Sequence, residues 1–200
     1  MPASQSTPRL RLTAWLLIAT VALVAVSQRS LCDGFAGELM QLAGLACIAC
    51  AALGRIWTSA FIAGFKDTSL VQEGPYSALR HPLYALSLLA MLGTGLATRS
   101  IAITLILMTA FVAIYLRSAR REEAFLARAH GRTHAEYGHR LRAFRPDFRE
   151  YRVPESIEVR PRVFWKAFLD AGSLLGLYVL IRVADLMQLG GIAPTWLSLP

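Results

Sequence analysis

The stretch HPLYALSLLAMLGTGLATRSIAITLILMTAFVAIYL, residues 81–116, decides the fold. It holds two apolar runs, 82–98 and 101–116, separated only by Arg99 and Ser100. Each run approaches the roughly 20 helical residues that cross a bilayer. In lipid a segment must satisfy its own backbone hydrogen bonds, so both runs read as helices. So short a gap joins them as a tight antiparallel hairpin. Pro82 suits the first helical position, where its missing N–H would be unpaired in any case. Gly93-Thr94-Gly95 inside the first run reads as a close-packing surface.

Working outward, three more apolar runs appear at 12–27, 35–54 and 163–189. The chain has 200 residues, 55% of them hydrophobic, and such a composition is rare in a soluble domain of this size. The expectation is an all-α, polytopic transmembrane bundle of about five spans, forming one domain over 1–200. Arg9 and Arg11 before the first run resemble the start of a signal peptide, but Val24-Ala25-Val26-Ser27-Gln28 is a weak cleavage site, so that span reads as retained. Gly54-Arg55-Ile56-Trp57 reads as an interfacial end of the second span. The segment 58–81 is too polar to cross, and Phe61, Ile62 and Phe65 have the spacing of a helix lying along the surface. The tail 190–200 reads as irregular.

Net charge is +8, and the distribution of that charge sets an orientation. In a five-span chain the N-terminus, the segment 58–81 and the segment 117–162 share one side. The last of these alone holds 12 Arg against 7 Asp and Glu. The opposite loops carry only Arg29 and Arg99. The positive-inside rule places the N-terminus and both long segments in the cytoplasm, in a cell inner membrane. Nucleic acid is not expected as a partner, because no basic motif with interleaved aromatic residues is present. Cys32, Cys47 and Cys50 are odd in number and two of them lie in an apolar run, so they read as core and not as a disulfide or zinc site.

Directly before the hairpin stands Gly74-Pro75-Tyr76-Ser77-Ala78-Leu79-Arg80-His81-Pro82-Leu83-Tyr84. A loop that merely joins spans needs none of these side chains. They read as half of a cofactor site at a membrane face. Other readings stay open for single residues. His81 could bond a backbone carbonyl, Tyr76 and Tyr84 could anchor the interface, and Arg80 could pair a lipid phosphate. After the hairpin come Arg117, Arg120, Arg121, Glu122, Glu123, His130-Gly131, His134, Tyr137, Arg140 and Pro146. Paired glutamates beside three arginines can complete a cofactor site, or can be a solvated helix end. His130 and His134 are four apart on a helix, but too few ligands accompany them for a metal, and none is expected.

Taken together, the two segments resemble the isoprenylcysteine carboxyl methyltransferase and phospholipid methyltransferase superfamily of membrane enzymes. The resemblance rests on Gly74-Pro75-Tyr76, Arg80-His81-Pro82, Tyr84, Glu122-Glu123, Gly131, Tyr137 and Pro146, with Gly54-Arg55-x-Trp57 and Leu70-Val71 upstream, and covers about residues 50–146. It implies S-adenosylmethionine as cofactor and a lipophilic small-molecule or lipidated acceptor drawn from the membrane lipids. It implies cofactor contacts from Pro75, Tyr76, Arg80, His81, Pro82, Tyr84, Glu122 and Glu123. Arg117 and Glu122 would carry the chemistry, and Arg117, Arg121, Tyr137 and Arg140 would meet the acceptor. A carboxylate acceptor needs a cation such as Arg117 to hold it; an amine must lose a proton, so Glu122 would act as base. In a helix Arg117 and Glu122 stand about 140° apart, so one pocket would have to wrap around the helix end.

Two departures matter. His134 stands where the family has the first tyrosine of Tyr-x-x-Tyr, and the chain continues well past Pro146 through a charged final span. In that span Arg182 and Asp185 are three apart and could pair in the membrane or near its outer interface. The leading expectation is methylation of a carboxylate, as in isoprenylcysteine carboxyl O-methylation; a phospholipid N-methyltransferase, a member that binds cofactor without turnover, and a small transporter or scaffold are the competing classes.

Overall fold

The computed structural model describes residues 27–28, 34–62, 71–140, 147–189 and 197–198. Its helices are α1 (Phe35–Ile62), the one-turn α2 (Pro75–Ala78), α3 (Pro82–Ala97), α4 (Ile101–Arg140) and α5 (Pro161–Leu189). A two-residue parallel ladder, β1 (Ser27–Gln28) with β2 (Leu197–Ser198), is the only strand pairing among the described residues. β2 gives part of the tail a regular partner. The expected first span lies outside the described residues except for Ser27.

Three helical stretches are long and apolar enough to cross a membrane: Phe35–Ile62, Ile101–Arg121 and Pro161–Gln188. Large side chains such as Leu39, Leu42, Leu105, Ile106, Val179 and Leu186 are exposed on their outer faces, as lipid contact requires. The protein is an integral membrane protein built as a helical bundle.

α1 buries Gln41, Gly44, Ile48, Ala51, Ala52 and Thr58, a stripe at helical spacing made mostly of small residues. Small residues let the helix backbones approach closely. A Cβ on Gly44 would sit 2.7 Å from the Gly93 carbonyl oxygen, and a Cβ on Gly93 would sit 2.7 Å from that of Gly44. The small residues of α3 therefore do the packing work expected of them. The pairs Gly44 with Gly93, and Gly54 with Leu86, run in opposite order, so α1 and α3 are antiparallel.

α1 does not close at Gly54–Trp57 but continues to Ile62. The polar residues that suggested an end are paired instead. Arg55 bonds Ser87 on α3 at 2.5 Å and forms an ion pair with Asp170 on α5. Trp57 donates to the Tyr151 hydroxyl at 3.2 Å. Phe61 is buried, not laid along a surface; its ring supports Gly74.

The hairpin between α3 and α4 is as tight as expected. Arg99 takes φ 57°, the left-handed region that a non-glycine residue enters at a cost. α3 has 16 residues, so it rises only about 24 Å against a hydrocarbon layer of about 30 Å. The polar turn is buried against the neighbouring helices, Arg99 at 7% and Ser100 at 2% exposure.

Neighbouring helices supply what water cannot. Gln41 accepts from Arg99 at 3.0 Å and also from Arg182, and it donates to Asp185 at 3.2 Å and to the Ala97 carbonyl at 3.4 Å. Arg182 reaches Asp185 at 3.1 Å, and Glu38 pairs with Arg99. The Arg182–Asp185 pair thus exists, and it belongs to a cluster tying α1, the hairpin turn and α5. Below it Ala97, Ile103, Leu107 and Ile181 form an apolar core.

Candidate active site

The Gly74–Tyr84 motif stands at the other end of the bundle, between the end of α1 and the start of α3. Gly74 has φ 57°, which favours glycine, and a Cβ there would run into the Phe61 ring. Two separate requirements therefore fix this residue. Pro75 opens α2, and Leu79 N–H closes the turn on the Pro75 carbonyl at 3.0 Å. Ser77 donates to the Gly74 carbonyl at 2.7 Å. Tyr76, Ser77, Ala78, Leu79, His81 and Pro82 are all buried.

His81 occupies the position before α3, and its carbonyl accepts from Tyr84 and Ala85, each at 3.2 Å. Its imidazole makes no capping bond to that helix. The ring lies against Tyr84, with centroids 5.6 Å apart. Tyr84 in turn meets Tyr115 of α4 edge-to-face at 4.4 Å, and Tyr115 stacks on Phe111 at 6.3 Å. Met91 and Ala119 complete this buried patch between α3 and α4. An aromatic column therefore descends from His81 into the membrane-spanning part.

Residues after α4 return to the motif. Gly74 N–H donates to the Arg152 carbonyl at 2.7 Å, and Arg152 N–H donates to the Ser77 hydroxyl at 3.0 Å. Asp147 N–H donates to the Ala78 carbonyl at 2.8 Å. The stretch Asp147–Arg152, which includes the single 3-10 turn Phe148–Glu150, is thus a strap across the Gly-Pro-Tyr turn.

The sequence-predicted residues divide. Pro75, Tyr76, Arg80, His81, Pro82 and Tyr84 come together at one bundle end, Arg80 half-buried. Arg117 and Arg121 are exposed. Arg117 follows Tyr115 by two residues, about 200° around the helix, so it leaves α4 on the side away from the aromatic column. The structure does not bring Arg117 to the motif. Glu122 is different: seven residues after Tyr115, its backbone lies within about 20° of the same stripe. Glu123, Tyr137 and Arg140 are also on α4, but the side chains of Glu122, Glu123, Tyr137 and Arg140 lie outside the described residues, as does Pro146.

Sequence reasoning missed Tyr115, Ser77 and the strap. Tyr115 had a readable signal, since Phe111, Tyr115 and Ala119 recur at four-residue spacing. The strap had none, because it is held mainly through backbone groups.

The family model for phospholipid methyltransferases matches residues 36–133, from the start of α1 past the paired glutamates. Among curated proteins, the cobalt-zinc-cadmium resistance protein CzcN of Cupriavidus metallidurans is 36% identical over 186 residues, covering 92% of this chain and 86% of that protein. The nickel-cobalt-cadmium resistance protein NccN of Alcaligenes xylosoxydans xylosoxydans is 29% identical over 201 residues, covering 100% and 94%. No solved structure matches. With coverage this complete, the extension beyond Pro146 is shared with these relatives and is no peculiarity of one chain. From its motif, its bundle and these matches, the chain belongs to the phospholipid methyltransferase family, within the superfamily of membrane methyltransferases that also holds the isoprenylcysteine carboxyl methyltransferases.

Proposed function

We propose that the protein is a membrane methyltransferase that binds S-adenosylmethionine at the Gly74–Tyr84 motif and methylates a lipophilic acceptor. The observation that carries this reading is the convergence of His81, Tyr84 and Tyr115 beneath a strapped Gly-Pro-Tyr turn, with Glu122 in register on α4. The group set suits such a cofactor. Aromatic rings attract a cationic sulfonium, and carboxylates suit the ammonium and ribose hydroxyls of the remainder. When bound, S-adenosylmethionine supplies an electrophilic methyl group and leaves as the neutral thioether. His81, Tyr84, Tyr76 and the Pro75 turn hold and orient it, and the buried column excludes water, which alignment-driven transfer requires.

The acceptor is chosen by charge. A carboxylate, as in isoprenylcysteine O-methylation, would call for Arg117 close to the column. With Arg117 pointing away, an amine on a phospholipid headgroup is favoured, with Glu122 taking its proton. The acceptor enters from the bilayer along α4, and the site faces the cytoplasm of the inner membrane, the side that the Arg-rich segment selects.

The names of the two relatives concern resistance to cobalt, zinc, cadmium and nickel. We read metal stress as the setting in which the membrane modification is used. Among the described residues no group of three or more His, Cys, Asp or Glu is placed to hold a metal ion.

The test is calorimetry with S-adenosylmethionine on detergent-purified protein, beside His81→Ala and Glu122→Ala. Saturable binding weakened in both variants is expected, followed by methyl incorporation into phosphatidylethanolamine in preference to a prenylcysteine. Absence of binding to well-folded wild type would leave the transporter or scaffold class standing.

A further inference from the structure

Contacts around the Gly-Pro-Tyr turn form a closed circuit. Gly74 bonds Arg152, the neighbouring Tyr151 accepts from Trp57 of α1, Trp57 packs its ring edge-on against Phe61 at 5.0 Å, and Phe61 lies beneath Gly74. One hydroxyl stands at the crossing of this circuit. Ser77, 6% exposed, donates to the Gly74 carbonyl at 2.7 Å and accepts from the Arg152 N–H at 3.0 Å. It links the two sides of the turn to the strap at a single atom. Nothing in the family match reaches the strap, since that match stops at residue 133.

We propose that the strap Asp147–Arg152 is part of the cofactor site, and that Ser77 is the positioning residue through which it sets the attitude of the turn. The inference rests on the reading that this motif binds S-adenosylmethionine. Its physical basis is short. Only Ala78, Leu79 and Arg80 separate Ser77 from His81, and Ala78 is itself bonded to Asp147. A rotation of the turn therefore moves His81, and with it the ring against which Tyr84 packs. The strap removes that freedom before the cofactor arrives, which raises affinity by preorganisation. It also explains why the chain past the glutamates belongs with the core: the segment that leads to α5 has the turn as its docking point.

The experiment compares wild type, Ser77→Ala, Ser77→Thr and Tyr151→Phe in detergent, measuring thermal midpoint and S-adenosylmethionine affinity for each. Ser77→Ala should weaken binding about tenfold, the worth of one buried hydrogen-bond junction. Ser77→Thr, which keeps the hydroxyl, should recover most of that loss. Tyr151→Phe removes only the Trp57 bond to the strap and should weaken binding about threefold with an unchanged midpoint. A structural role alone would move the midpoint and leave affinity unchanged in the folded fraction. If Ser77→Ala does not fold, Tyr151→Phe decides. Wild-type affinity in folded Ser77→Ala, or in Tyr151→Phe, overturns the proposal while leaving the methyltransferase reading intact. Wild type that does not bind S-adenosylmethionine removes that reading, and this inference with it.

Discussion

At the Arg99 end of the bundle, helices are joined through charged and amide side chains: Glu38, Gln41, Arg99, Arg182 and Asp185 reach across three elements. At the Gly74 end the joints are backbone hydrogen bonds, the Ser77 hydroxyl and ring contacts, and the described charged side chains of α4, Arg117, Arg120, Arg121 and Arg128, are exposed. The first arrangement spends its polar groups on holding helices together. The second fixes a turn through groups that carry no charge: backbone amides, the Ser77 hydroxyl and aromatic rings. Under the proposed function, stability and chemistry stand at opposite ends of the bundle.

Substitutions at the two ends should separate these roles. Asp185→Ala takes the shared carboxylate from Arg182 and Gln41, and should cost about 2 kcal/mol in unfolding free energy, because buried polar groups lose an acceptor. Cofactor affinity of the folded fraction should stay at the wild-type value in titration calorimetry. Reduced affinity there would mean that the two ends are coupled. Gly74→Ala forces a β-carbon onto Phe61 in a left-handed conformation and should cost about 2 kcal/mol; unlike Asp185→Ala, it should also abolish measurable cofactor binding. His81→Ala should lower affinity of the folded fraction about tenfold, since one polar contact to a ligand is worth roughly that much, and should lower the thermal midpoint as well, because a buried ring packed on Tyr84 is lost. Arg117→Ala is expected to shift stability by less than about 0.5 kcal/mol, as exposed substitutions do, and methyl transfer in a lipid assay should fall by less than about twofold. A loss of a hundredfold or more would return Arg117 to the transfer site and with it the carboxylate acceptor.

The two ends also differed in how readable they were. The hairpin, the close-packed glycines and the His81–Tyr84 group follow from local rules: apolar length, small residues at helical spacing, and proline at a helix start. The extension of α1 to Ile62 did not, because Arg55 and Trp57 look like an interface until Ser87, Asp170 and Tyr151 are seen opposite them. The ion cluster was half legible. Arg182 and Asp185 announce each other by spacing within one helix, whereas Glu38 and Gln41 meet Arg99 only through the crossing of α1 over the hairpin turn. Arg117 is exposed and leaves α4 about 200° from Tyr115, so its expected place in the site would need the pocket to wrap around the helix end. The backbone of Glu122 is in register with Tyr115 because seven residues are nearly two full turns.

The shortness of α3 has a consequence for the lipid itself. α3 rises about 6 Å less than a typical hydrocarbon layer, a mismatch that local thinning of the bilayer or tilt of the neighbouring helices relieves. The protein is thereby made sensitive to the thickness of its surroundings. Reconstituted in phosphatidylcholine of decreasing acyl length, it should reach its highest thermal midpoint in a membrane thinner than average.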